Sequence, residues 1–426
     1  MNVLVIGSGA REHAIVRALL ADPEISGVDA APGNPGIAEI ATCHPLDGGV
    51  TDVAAVVRLA QDVGTDLAVI GPEAPLVAGV ADALRDAGIA VFGPSGQAAQ
   101  LEGSKAFAKE IMAAADVPTS RSYVCNDDAE AAAALEATGA PYVVKDDGLA
   151  AGKGVVVTDS MDEALAHARV CFAAGGSVVV EEFLSGPEVS LLCLTDGTTV
   201  VPLAPAQDFK RVGDDDAGPN TGGMGAYSPL PWAPQGLVDD VVARIAQPTV
   251  DEMRRRGTPF AGVLYVGLAL TRSGPRVIEF NARFGDPETQ VVLARLRTPL
   301  GSLLRSVAAG ELDQQPPLVW RDDAAVTVVV ASEGYPTKPR TGDPIDGLTD
   351  GDDQSYVLHA GTALDSSGAL ISAGGRVLSC VGIGSDLTAA RAAAYRMVEA
   401  VSLRGAQHRT DIARAAADGL LEAPSA

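Results

Sequence analysis

The chain reads as an α/β protein that opens with a doubly wound parallel sheet and continues into α+β lobes. Three observations predict this. The opening third alternates short apolar runs (NVLVI, DLAVI, IAVFG) with helix-periodic stretches (REHAIVRALL, DVAAVVRLAQ, LVAGVADALRDAG), the alternation that builds βαβ units. Glycine-rich turns follow those apolar runs. Beyond residue 118 four strand-like runs (SRSYV, PYVVK, GVVVT, SVVVEEF) share only two helical patterns, and after residue 188 the strands lengthen (VSLLCLT, AGVLYVGLALT, RVIEFNA).

A chain of 426 residues exceeds one ordinary core, and usual domain sizes suggest about three units. The pattern suggests an N-terminal α/β domain (1–102), a small lobe (118–188) flanked by a helical stretch (103–117) and a longer-stranded region (189–316), and a C-terminal α+β domain (317–426) after the composition break DQQPP. Ligands of doubly wound sheets bind at the carboxyl ends of the strands. The loops there are GSGARE (7–12), PGNPG (32–36) and GPEAPL (71–76).

Composition excludes several function classes. Hydrophobic residues make up 47% and charged residues 20%, with a mean hydropathy of +0.18, as in a globular protein. The longest apolar run, 261–270, is too short to span a bilayer. The first residues lack the basic, then apolar, pattern of a signal peptide, which points to the cytoplasm. Five scattered cysteines, none in a CxxC pair, argue against a disulfide framework or structural zinc. A formal net charge of −24 repels nucleic acid and anionic membranes, so neither is an expected partner. Only six residues are lysine (Lys105, Lys109, Lys145, Lys153, Lys210, Lys338).

GSGARE has the strand-turn-helix setting that presents N–H groups to a phosphate. It fails the dinucleotide fingerprint, because Glu12 occupies the third glycine position and no acidic residue clearly ends the second strand. KDDGLAAGKG (145–154) offers Lys145 at a strand end and small residues around Lys153 that let the backbone close over a polyphosphate. It is not a Walker loop, and a solvated hairpin has the same pattern. In EEFLSGPE (181–188), a strand running into a hinge can bind an adenine edge through its main chain, with Glu181 and Glu188 as acceptors for ribose hydroxyls; taken in isolation, the stretch reads more readily as a surface turn.

The strongest signal is VIEFNARFGDPETQ (277–290). Two-residue spacing on a strand puts Glu279 and Asn281 on one face, where two oxygens can meet a hard cation. Arg283 continues that face toward a transferring phosphoryl group, while Ile278, Phe280 and Ala282 face a core. The glycine- and acid-rich stretch 207–229 reads as an irregular loop, in which Asp208, Lys210 and Arg211 are candidates to grip substrate. The five histidines are dispersed, with no HExxH or GxSxG context.

Taken in order, Lys105, Lys145 with GLAAGKG, EEFLSGPE and EFNARFGDPE resemble the ATP-grasp superfamily, in which two α+β lobes clamp ATP. Within it, GSGARE, GNPG, GPEAPL, QDFKR, GPNTGGMGAYSP and RFGDPETQ are similar to the phosphoribosylamine–glycine ligase family along nearly the whole chain. The resemblance implies ligation of glycine to 5-phosphoribosylamine at the expense of ATP, in purine biosynthesis. It implies ATP phosphates on Lys105 and Lys145 under a loop containing Gly148, Gly152, Lys153 and Gly154, adenine on Glu181, Glu182, Phe183 and Leu184, and ribose on Glu188. Mg²⁺ or Mn²⁺ would sit on Glu279 and Asn281. Phosphoribosylamine would meet Ser8, Gly9, Arg11, Glu12, Asn34, Gly71 and Glu73, with Lys210 and Arg211 also toward substrate. Asp208 and Arg283 would address glycine and its acyl phosphate, making these two and Lys145 the catalytic set. A monomer in at most transient contact with neighbouring pathway enzymes is implied. Rival readings are another ligase of the same clamp type and a nicotinamide oxidoreductase. Three positions depart from the family pattern: Phe209 replaces the histidine of QDHKR, Asp146 an alanine, and Ala10 a glycine.

Overall fold

The computed structural model describes residues 1–149, 154–348 and 351–423. The first sheet is parallel throughout, in the order Thr42–Cys43, Gly27–Pro32, Asn2–Gly7, Leu67–Ile70, Ala90–Phe92. The first strand lies in the middle, so the chain winds outward in both directions and leaves a crevice at that strand's carboxyl end. Helix Ala10–Leu20 starts there, and its N-terminus is closed by Glu12, whose carboxylate accepts from Gly9 N–H at 2.6 Å. A Cβ added at Gly7, Gly9 or Gly71 would come within 2.6, 2.8 and 2.1 Å of Glu12 atoms. These glycines make room for a buried carboxylate.

The small lobe is an antiparallel sheet in the order Ser122–Cys125, Val178–Glu181, Tyr142–Asp146, Val155–Thr158. Helices Asp128–Thr138 and Met161–Ala173, N-capped by Asp127 and Ser160, cover a core of its own that includes Leu135, Val144, Ala164, Ala168 and Val180. Alanine on both helices lets them sit close to the valine face of the sheet.

Val200–Pro202, Glu188–Asp196, Ala261–Thr271 and Gly274–Asn281 form the antiparallel sheet of the main lobe. Its register passes from Gly267↔Glu279 to Leu268↔Val277, so Ile278 has no residue opposite. This bulge corrects the expected alternation: Phe280 and Ala282 are buried, whereas Ile278 is half-buried and lines a cleft.

The remaining large sheet joins distant parts of the chain, in the order Gln207–Asp208, Gly225–Ser228, Ala324–Ala331, Arg376–Gly384, Ser355–His359. Composition predicts an irregular loop for 207–229, but four short strands occur within it, and Gly225–Ser228 is wholly buried against Ala324–Ala331. At Gly225 a Cβ would meet Thr327 O at 2.6 Å, so the glycine that argues against a strand is what permits this close pairing. Two strands from 207–229 thus complete the C-terminal sheet. Among the described residues no helix is long and apolar enough to cross a membrane.

The first and last sheets meet through Asn34, His13 and His359. Asn34 Oδ1 accepts from Ile37 N–H at 2.9 Å, and its Nδ2 donates to Ser8 O at 2.8 Å and His359 O at 2.9 Å. His13 Nδ1 accepts from His359 N–H at 2.9 Å, which requires that nitrogen to be unprotonated. Burial, then the neighbouring His359 and Arg17, lowers the His13 pKa to about 3, and burial lowers that of His359 to about 4. In the unfolded chain both take up protons near pH 6.5. The unfolded state therefore binds more protons between those values, and stability falls as pH is lowered through this window. The unfolding midpoint should drop between pH 7 and pH 4.5, and less steeply in a His13→Asn variant; parallel pH profiles for the two proteins would refute this source.

Candidate active site

A cleft of about 880 Å³ opens between the lobes and is lined from the N-terminal domain, both grasping lobes and the C-terminal segment. Its floor is a buried charge cluster. Lys145, on the strand Tyr142–Asp146, donates to Ile278 O at 2.9 Å and lies 3.1 Å from Glu181 Oε1. Lys109, on helix Lys105–Ala114, lies 3.0 Å from Glu181 Oε2 and donates to Thr119 Oγ1 and Ser120 Oγ at 2.9 and 2.6 Å. Burial works to raise the Glu181 pKa, but Lys145 and Lys109 outweigh it and hold the carboxyl below its usual range. Burial pulls Lys109 down to about 8 against the attraction of Glu181.

This corrects the expectation that Glu181 faces a nucleotide. Its side chain is turned inward between two ammonium groups, and its main chain lies in the middle of the sheet, paired with Ser122 and Val143. Glu182 is also engaged, through Arg121 N–H and Arg276. Free main chain begins at Phe183 and Leu184, whose backbone groups have no partner among the described residues. Phe183 is exposed and both line the cleft.

Lys105 begins its helix and donates to Gly148 O at 2.9 Å. Beside it Asp147 accepts from Ala106 N–H and Ser104 Oγ, each at 3.1 Å. The small-lobe hairpin is thus tied to a helix N-terminus, where a carboxylate is favoured. Gly148 and Gly154 line the cleft; Gly152 and Lys153 lie outside the described residues.

Glu279 and Asn281 stand at the end of Gly274–Asn281, both lining the cleft. Burial would raise the Glu279 pKa, but Lys210, Lys145, Lys105 and Arg283 together lower it. One ionised carboxylate and one amide oxygen suit a hard divalent cation that keeps most of its water and takes its other ligands from phosphates. Among the described residues no group of three or more His, Cys, Asp or Glu is arranged to hold a metal by itself, and such a shared site needs none.

Lys210 pairs with Glu188 at 2.8 Å and approaches Glu279 at 3.9 Å. Two residues expected on different ligands are therefore partners here. Asp208 lies among them, and burial with Glu288, Glu188 and Glu279 nearby pushes its pKa up despite Lys210. Arg211 lines the cleft but donates to Gly218 O at 2.7 Å, closing its own loop. Arg283 reaches Glu73 at 3.1 Å and Glu102 at 3.0 Å.

The N-terminal loops are only partly brought to the cleft. Arg11 and Glu73 line it; Arg11 is fixed by Glu12 at 2.6 Å and Phe284 O at 3.0 Å. Ser8, Gly9, Glu12, Asn34 and Gly71 are not among its lining residues. The expected substrate contacts of Glu12 and Asn34 need correction, since both side chains are buried and spent on internal hydrogen bonds. The buried Glu12 carboxylate against the glycine turn also opposes a dinucleotide phosphate there.

Sequence reasoning missed Lys109, Glu102, Asp286, Arg376 and Arg409. Lys109 had a signal, since it follows Lys105 by four residues and so shares its helix face. Arg376 and Arg409 had none: the C-terminal strand and tail bring Arg376 to Gly222 O and to Asp286 at 3.0 Å, and Arg409 to within 4.8 Å of the Phe209 ring.

A parallel-sheet domain followed by two α+β lobes, closing on a lysine-floored cleft beside a Glu-Asn pair, defines an ATP-grasp enzyme. The fold of a biotin carboxylase domain from Hydrogenobacter thermophilus, solved with MgADP, ADP and bicarbonate, agrees (TM-score 0.74, 18% identity, 96% of this chain and 91% of that one). The chain belongs to the phosphoribosylglycinamide synthetase family, whose N-domain, ATP-grasp-domain and C-domain models match residues 1–102, 103–289 and 325–415. It is 65% identical to phosphoribosylamine–glycine ligase of Streptomyces coelicolor over 98% of this chain and 100% of that one. It is 56% identical to the protein of the same name from Mycobacterium tuberculosis, over 98% and 99%. The crystal structure of that ligase from Thermotoga maritima superposes with a TM-score of 0.83 at 33% identity, covering 97% and 100%.

The Lys109–Glu181–Lys145 cluster makes a stability prediction. Glu181→Gln leaves two buried ammonium groups without their counter-charge, and should cost about 3–5 kcal/mol in denaturant unfolding. Adding Lys109→Met should recover part of that loss; equal or greater instability of the double variant would show that Lys109 is not paired with Glu181 in solution.

Proposed function

We infer that the protein ligates glycine to 5-phosphoribosylamine, converting ATP to ADP and phosphate and forming glycinamide ribonucleotide in purine biosynthesis. The observation that carries the reading is the convergence of Lys105, Lys145, Glu279, Asn281, Arg283 and Asp208 on one cleft in a chain so similar, end to end, to ligases of that name.

The chemistry explains why those groups are needed. Glycine's carboxylate is anionic and has no good leaving group, so an amine cannot displace its oxygen directly. Attack of that carboxylate on the γ-phosphorus forms a C(O)–O–P linkage and releases ADP. The amine of phosphoribosylamine then attacks the carbonyl carbon, phosphate leaves with the carboxylate oxygen, and the amine gives up a proton. Lys105 and Lys145 hold the phosphates, Phe183 and Leu184 offer their main chain to adenine, and Glu188 accepts from the ribose. Arg283 spreads charge on the transferring group, and Asp208 faces glycine. Mg²⁺ or Mn²⁺ on Glu279 and Asn281 would neutralise phosphate charge. Arg11 and Glu73 are the N-terminal groups positioned to meet phosphoribosylamine.

Two measurements test this. With glycine labelled by ¹⁸O in its carboxylate, each turnover should deliver one label to inorganic phosphate; phosphate that stays unlabelled rules out the acyl phosphate. Glu279→Gln should lower turnover by an amount equivalent to about 3–4 kcal/mol with little change in unfolding midpoint, and near-normal turnover at low magnesium would remove Glu279 from the metal site.

A further inference from the structure

We propose that Glu102 is a positioning residue for the phosphoryl-transfer step, its carboxylate holding the Asn281–Ala282 peptide and the Arg283 guanidinium in one orientation. The proposal rests on the role given to Arg283 above. Glu102 lies in the short helix Gln100–Gly103, at the junction where the N-terminal family match ends and the ATP-grasp match begins. Its side chain is only 8% exposed. Oε2 accepts from Ala282 N–H at 2.7 Å and Oε1 lies 3.0 Å from Arg283 Nη2.

The rest of the guanidinium is held as follows. Nε faces Glu73 Oε2 at 3.1 Å, Nη2 also reaches Asn281 Oδ1 at 3.4 Å, and Nη1 donates to Phe284 O at 3.3 Å. Two carboxylates thus grip the Nε and Nη2 sides, leaving one N–H of Nη1 as the donor without a partner among the described residues. An arginine side chain loses rotamer entropy when it is fixed, so a guanidinium meant to meet a transient charge gains by being held beforehand. The N–H that Glu102 Oε2 accepts from is that of the Asn281–Ala282 peptide, while Oε1 meets the Arg283 guanidinium, so one carboxylate touches both the main chain next to the metal-side amide and the arginine. A glutamine could not do the same. Its oxygen could replace one contact, but its NH₂ group would face either Ala282 N–H or Arg283, both donors.

The test is a double-substitution cycle in the full-length enzyme, with kcat, the KM of each substrate and the unfolding midpoint measured for every protein. Glu102→Gln should lower kcat about 10- to 100-fold and move the KM for ATP by no more than about twofold. In an Arg283→Met background the same substitution should change kcat by less than about twofold, because the group it positions is gone. Glu102→Asp, which keeps the charge but shortens the reach, serves the same cycle if the glutamine variant does not fold. Loss in Arg283→Met without loss in Glu102→Gln would overturn the role of Glu102 alone. Equal factors in both backgrounds would reduce Glu102 to a structural residue. Wild-type kcat in Arg283→Met would overturn the transfer role of Arg283, and this proposal with it.

Discussion

An acidic chain can hold a polyphosphate only if its few cations are gathered in one place and kept charged there. With a formal net charge of −24 and six lysines, this constraint organises the molecule. Lys109 comes from the helix after the N-terminal domain, Lys145 and Glu181 from the small lobe. A single buried carboxylate therefore faces two ammonium groups and ties the small lobe to the main one. Burial of charge is costly unless geometry and hydrogen bonds compensate. Here Ser120 and Thr119 take up the other two donors of Lys109 and Ile278 O a second donor of Lys145, which, among the described residues, leaves Lys145 one N–H for a phosphate. The charge cluster is also a joint, so electrostatics and lobe packing are one problem.

The same logic, with signs exchanged, appears at the other side of the cleft. Arg283 is flanked by Glu73, at the start of the short helix Glu73–Val77 after the strand Leu67–Ile70, and by Glu102 from the connecting helix, and Arg376 from the C-terminal sheet is set against Asp286. Arginine suits these places because its planar fork bonds in several fixed directions while remaining charged. Each pair joins a residue of the strand-turn motif 277–290 to a different domain. The motif is thus oriented from two sides.

The parallel sheet, the small lobe and the Glu279–Asn281 pair were legible because each rests on local periodicity: alternation of apolar runs with helices, or spacing of two on a strand. What was not legible required distant partners. The burial of Gly225–Ser228 depends on pairing with Ala324–Ala331, about a hundred residues later, and no local pattern announces it. Glu12 and Asn34 sit in loops of the kind that bind ligands, yet their hydrogen bonds go inward, to Gly9 and Arg11 and to Ser8, Ile37 and His359. Loop composition reveals that polar groups are available, and only the fold reveals which are already spent. Glu181 misleads for the same reason, since a strand-end glutamate looks solvated until two lysines arrive from elsewhere.

Phe209 and Asp146, which depart from the family pattern, can be understood on those terms. The Phe209 ring packs 6.1 Å from that of Tyr227 and lies under the Arg409 guanidinium. That guanidinium is almost wholly buried and bonded to Asp411, Asp216 and Arg211 O. An aromatic face attracts such a cation, whereas an imidazolium in the same place would repel it. Phenylalanine here is therefore matched to its neighbour, and anchors the Gln207–Asp208 strand against the C-terminal tail. At Asp146 the main chain does the structural work, its N–H donating to Gly154 O at 2.7 Å to close the hairpin, while the adjacent Asp147 makes the helix-capping contacts. The Asp146 carboxylate has no hydrogen bond among the described residues, so a small apolar residue would close the hairpin equally well. What the aspartate adds is a negative charge that draws on Lys105, the same lysine that must serve ATP. Of the two departures, Phe209 is compensated by its surroundings and Asp146 is not.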